Sequence, residues 1–150
     1  MTLMVQQGFF EDLAAGAVTS GADVRGMLVM TNTTCDTEQN MSNLSDFTDI
    51  DEADGVGYVQ DAITNVTVTW DAVNFRLEID GDNLDFTTAG TLDACTRSLA
   101  GIQWFRYVDG TLANDVPWFF SDSGGFPKTP AGGGATATID TEGLLQIEQV

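Results

Sequence analysis

The chain has 150 residues, 23 of them acidic, five basic and none histidine, for a formal net charge of −18. Neutralising a phosphate backbone takes Lys and Arg, so direct nucleic-acid binding is a poor candidate role, and an anionic membrane surface is disfavoured for the same reason. Without histidine the usual general base, the Ser-His and Cys-His pairs and the commonest transition-metal ligand are missing.

Hydrophobic residues make up 43%, including nine Phe, three Trp and two Tyr, which is enough for one domain over residues 1–150 with a real core. The acidic excess keeps the free protein soluble and slows non-specific association. Adaptation to a salty habitat is a second reading of the same charge. Cys35 and Cys95 fit no zinc spacing and read as free buried thiols, with one bridge as the alternative. Met1 to Val18 has neither a basic nor a strongly apolar signal region, and no apolar run reaches membrane-spanning length. The expectation is an unanchored protein made in the cytoplasm. On that reading the N-x-S/T triplets at Asn32, Asn40, Asn43 and Asn65 are chance.

In chain order, residues 6–18 read as a short helix with Phe9, Phe10, Leu13, Ala14 and Ala17 on one broad face. Glu11 and Asp12 stand near its start, and Ser20-Gly21 ends it. Val24 to Met30 is a strand apolar on both faces, hence central. Thr31 to Gly57 is polar and acidic and reads as a surface excursion with little regular structure. Ile63 to Trp70 and Phe75 to Asp80 both alternate, which predicts a β-hairpin with one buried face. Leu84 and Phe86 suggest a further short strand. Leu99 to Val108 follows, then Val116 to Ser121 with Trp118 and Phe120 on one side. Ser121 to Gly134 reads as an exposed loop, and Ala135–Ile139 and Leu144–Ile147 as short closing strands around a Glu142-Gly143 turn. Such a series predicts a mainly β chain, an antiparallel sandwich or jelly roll with a short N-terminal helix.

Two acidic clusters invite a calcium reading: Asp49, Asp51, Asp54 and Gly55, and Asp80, Asp82, Asn83 and Asp85. The first has the wrong register for an EF-hand, with Gln60 where the twelfth-position Glu belongs. Both read as solvated turn carboxylates, so no metal or other cofactor is expected. No nucleophile elbow, P-loop or dinucleotide fingerprint occurs, and no carboxylate pair is marked out. The sequence points away from an enzyme and towards a structural or interaction module. Gly132-Gly133-Gly134, after Pro127, Lys128 and Pro130, reads as a mobile loop, with a hinge as the alternative.

The pieces also have an order. Gly8-Phe9-Phe10 precedes Met27-Leu28-Val29, then Gly55-Val56-Gly57-Tyr58, then the run from Asn65 through Trp70-Asp71. A strand ending near Asp80, the run from Ile102 to Tyr107 and a closing Glu142-Gly143-Leu144-Leu145 complete it. This order resembles a family of small tailed-bacteriophage proteins carried near the head genes, of the capsid decoration (cement) type. Thr31 to Asp54 is more acidic than that family leads one to expect, and Cys35 and Cys95 are not features of it. The resemblance implies a virion protein made in the host cytoplasm and bound to the capsid exterior. Its implied partners are the major capsid protein and further copies of itself, as a trimer by preference because capsids carry three-fold axes. It carries no catalytic residues across. A tail or fibre module, stacking Trp118, Phe119 or Phe126 on a sugar, is the alternative.

A body of charge −18 repels its own copies, so assembly calls for apolar contacts or an oppositely charged shell. The apolar candidates are Phe9, Phe10 and Leu13 near the N-terminus and Leu144, Leu145 and Ile147 near the C-terminus.

Overall fold

The computed structural model describes residues 3–140 and 143–148. They form β1 (Leu3–Val5), α1 (Gln7–Ala15), β2 (Val24–Met30), β3 (Asp61–Ala62), β4 (Thr67–Asp71) and β5 (Arg76–Asp80). β6 (Leu84–Asp85), β7 (Leu99–Arg106), β8 (Val116–Ser121), β9 (Thr136–Ala137) and β10 (Leu145–Glu148) follow. The structure is mainly β, with one short α-helix and an antiparallel five-stranded sheet in the order β1-β8-β7-β2-β3. A three-stranded sheet, β10-β5-β4, and a two-stranded sheet, β6-β9, accompany it.

The central sheet is buried on both faces. Along β2, Val24, Leu28 and Met30 join Ile102, Trp104, Ile79 and Phe86 in the larger core, while Met27 and Val29 join Phe105 and Phe120 in a second. Gly26 sits between these residues because β6 comes so close. A Cβ there would lie 3.0 Å from the Phe86 ring and 3.1 Å from Leu84. The second core is roofed by Cys35, Leu44 and Phe47. Thr31 to Gly57 is therefore irregular as expected, yet it covers one face of the sheet. A few well-spaced apolar side chains suffice for that.

Three other expectations are corrected. α1 ends at Ala15, because Gly16 adopts a left-handed conformation (φ 72°) and turns its N–H back to the last turn. Trp118 and Phe120 do not share a face. β7 pairs Trp104 with Phe119 and Phe105 with Pro117, so Trp118 is the extra residue of a bulge. Trp118 and Phe119 enter the larger core, and Phe120 the second. The two closing strands also go separate ways, β9 to β6 and β10 to β5, while Glu142 of the Glu142-Gly143 turn expected between them lies outside the described residues.

Candidate interaction surfaces

α1 is fixed to the sheet by one carboxylate. Asp12 is buried and accepts from Arg106 Nε at 2.6 Å, from Arg106 Nη2 at 2.7 Å and from the Trp118 indole Nε1 at 2.8 Å. Glu11 and Asp12, expected near the helix start, thus lie beyond its first turn, which holds no acidic residue, and Asp12 points inward. Phe9, also wholly buried, meets Trp118 edge-on with ring centroids 5.5 Å apart. Gln6 at the helix entrance is buried as well and donates to the Cys35 carbonyl.

With Phe9 and Asp12 turned in, the opposite side of α1 is turned out. Phe10 is 53% exposed and Leu13 43%. The six residues marked out in the sequence therefore part company. Leu145 is buried and Leu144 half-buried against the same core that takes Phe9. Ile147 pairs through its backbone with Leu77, and its side chain lies outside the described residues. Among the described side chains of the six, Phe10 and Leu13 are what a neighbour can touch. Trp118 and Phe119 are buried too, which leaves neither ring face open to a sugar.

The hairpin of β4 and β5 supplies a second exposed apolar surface, and the sequence had suggested the reverse. Its apolar face starts in the core at Val66 and Ile79 but runs on past the body. At the far end Trp70 is 57% exposed, Val73 85% and Phe75 58%. The turn is tightly built: Asp71 accepts from the Val73 and Asn74 N–H groups and from the Asn74 side chain. Alternation marks the apolar face in the sequence, and Val73 within the turn is the sign that this face leaves the core.

Positive charge is scarce around these surfaces because each arginine has an acidic partner. Arg25 grips Asp23 at 3.0 Å and lies over the Tyr107 ring, Arg76 pairs with Glu78 at 2.7 Å, Arg97 with Asp51, and Arg106 with Asp12. The fifth cation, Lys128, sits 5.5 Å from the Phe126 ring centroid.

Many carboxylates of the acidic excursion bind the chain's own donors. Glu38 accepts from the Thr48 hydroxyl and N–H and the Thr34 hydroxyl; Asp46 from the N–H groups of Ser42 and Asn43; Asp54 from the Thr96 hydroxyl and N–H. Among the described residues no three His, Cys, Asp or Glu side chains gather where they could hold a metal ion. Cys35 and Cys95 are unbridged, and burial pushes the Cys35 thiol up to about 12.

These bonds hold several carboxyls below their ordinary range. The Thr48 hydroxyl is the main cause at Glu38, the Arg97 guanidinium at Asp51 and the Thr96 hydroxyl at Asp54. A carboxyl whose folded pKa is depressed stabilises the fold above its unfolded pKa, and that contribution disappears as pH falls through the folded value. The urea midpoint, taken at about 0.5 M salt to screen the net charge, is therefore expected to hold steady above about pH 5 and to drop below about pH 4. A midpoint unchanged down to about pH 3 contradicts this account.

A cleft of about 850 Å³ adjoins the Gly-rich segment, and Leu28, Ile102, Trp104, Phe119, Ser121 and Thr129 are among the residues that line it. The first four of these side chains are buried, while Phe126, Ile139 and Leu144 in the lining are partly exposed, so the cleft offers loop polar groups and apolar side chains together. Comparison of the chain with protein-family models, with characterised proteins and with solved structures finds no match.

Proposed function

We propose that this chain is a structural virion protein of the capsid decoration type, which binds the outer surface of a tailed-phage head and stabilises it. Its partners on this reading are the major capsid protein and its own copies, assembled as a symmetric oligomer, a trimer by preference. The finer architecture proposed with it is a jelly-roll-like sandwich, the central sheet facing the smaller sheets across the larger core. Support comes from the order of sequence pieces, which resembles that of such proteins. The observation that carries it is Phe10 and Leu13 held outward on a helix whose Phe9 and Asp12 are locked inside. That makes a rigid apolar contact on a body of strong net negative charge.

Burying one Phe side chain contributes about 1.5–3 kcal/mol, so Phe10→Asp is expected to weaken assembly or shell binding by about ten- to a hundredfold. Asp46→Asn in the acidic excursion should do far less, and moderate salt should tighten contacts between like-charged copies. Sedimentation with and without salt, with binding to undecorated shells, measures all three. The reading fails if particle reconstruction finds the chain only in tails, or if Phe10→Asp assembles and binds like the wild type. The alternative, a tail or fibre module that recognises a receptor or glycan, has the exposed rings of Trp70 and Phe75 in its favour in place of Trp118.

A further inference from the structure

The end of the β4–β5 hairpin has no role in the contact just described, and three features of it point the same way. Trp70, Val73 and Phe75 place three large apolar side chains in solvent within one turn. Trp70 stands opposite Leu77 on the ladder, so the exposed end continues the hairpin's own apolar face. Phe75 has φ +54°, a left-handed conformation that a bulky aromatic occupies only against steric resistance, where glycine would meet none. Asp71 holds the turn in that shape through its bonds to residues 73 and 74. The chain thus keeps an aromatic ring at a strained and exposed position, contrary to what stability alone would select.

Charge indicates the occupant. Every arginine is paired with a carboxylate of the same chain, and Arg76 at this tip lies between Glu78 at 2.7 Å and Asp71 at 3.6 Å. The field leaving a body of charge −18 is negative. A second copy meets that field as repulsion, and a basic surface meets it as attraction. Aromatic anchors contribute most when seated in a pocket from which a surrounding rim excludes water. We infer that the hairpin tip is a docking site for a basic protein partner, one that offers an apolar pocket rimmed by Lys and Arg to Trp70, Val73 and Phe75. This inference does not depend on the head-decoration reading. The two differ in salt dependence, since contact between like-charged copies tightens with salt and this one loosens.

The test uses the full chain and three synthetic peptides: one of Leu and Lys, one with Glu in place of every Lys, and one with Ser in place of every Leu. Trp104 and Trp118 are buried, so a change in indole emission on binding reports Trp70. The Leu/Lys peptide is expected to shift Trp70 emission to the blue, to bind more weakly as salt rises, and to outcompete both controls. Trp70→Ser and Phe75→Gly, followed by calorimetry, should each weaken it about tenfold or more. Phe75→Gly relieves the left-handed strain and should melt about 2–4 °C above the wild type, so its lost affinity cannot be ascribed to unfolding. Four results overturn the inference: equal binding of the Ser/Lys peptide, wild-type affinity in both variants, a wild-type dimer that Phe75→Gly dissolves, or a Trp70 response to neutral oligosaccharides and none to the peptides.

Discussion

Asp12→Ala is expected to lower the stability of the fold by about 2–4 kcal/mol, read from urea unfolding at neutral pH. The carboxylate accepts three bonds at once, two from Arg106 and one from the Trp118 indole. Alanine leaves a guanidinium that is three-quarters buried without its counter-charge and a wholly buried indole N–H without an acceptor. Removing one member of a buried pair costs more than the pair contributes, because the survivor stays desolvated. Arg106 keeps some access to water, which places the estimate below that for a fully enclosed pair. α1 has nine residues, too few to persist unless docked, so near-UV circular dichroism of Trp118 should change along with the midpoint. Asp12→Asn retains an acceptor for the indole and should lose about half as much. A loss under about 1 kcal/mol for the alanine variant contradicts the account. Because Asp12 also orients Phe10, its removal should impair assembly without the residue itself touching a neighbour.

The second large effect is expected at Leu44, inside what reads as a polar surface stretch. Leu44→Ala should cost about 3 kcal/mol, as buried Leu-to-Ala changes do when the site cannot collapse. Leu44 is wholly buried and, with Cys35 and Phe47, covers Met27, Val29, Phe105 and Phe120. It opens a 3-10 turn over Leu44–Asp46, whose capping box is closed by Asn43 and Asp46. The neighbouring substitution Asp46→Ala removes only the cap and should cost about 0.5–2 kcal/mol. Urea unfolding of the two variants side by side decides the matter. An excursion that merely floats on the surface predicts changes within about 0.5 kcal/mol at both positions.

How much of this was legible in the sequence varies by element, for physical reasons. β2 and the β4–β5 hairpin were readable because their patterns are local: an unbroken apolar run in one, strict alternation in the other. The bulge at Trp118 was not, since an extra residue is defined only by the partner strand's register. Asp12 is an ordinary acidic helix residue until Arg106 and Trp118 arrive from far along the chain. The lid role of the excursion was hidden because Cys35, Leu44 and Phe47 follow no period. Of the candidate surfaces, the Phe9-Phe10 pair stands out in the sequence, but which ring faces outward depends on how α1 lies on the sheet. The hairpin tip is not legible in the sequence, because alternation says that a face is apolar without saying how far the body beneath it extends.

The placement of β2 in the middle of the central sheet has a consequence for synthesis. Its main partner, β7, is remote: Val24 pairs with Arg106 and Met30 with Leu99. Roughly 70–80 residues must leave the ribosome after β2 before β7 exists to pair with it, which is several seconds or more at ordinary elongation rates. For that interval Met27-Leu28-Val29 is an apolar segment without its long ladder partner, bridged on the other side by Glu52 and Ala53 once these have emerged, and it is the kind of stretch that nucleates aggregation. What emerges directly behind it is the run containing Asp36, Glu38, Asp46, Asp49, Asp51, Glu52 and Asp54. Tethered to the waiting strand, those charges keep nascent chains apart by mutual repulsion. The acidic stretch that later roofs the second core thus serves first as a gatekeeper for the strand it will cover.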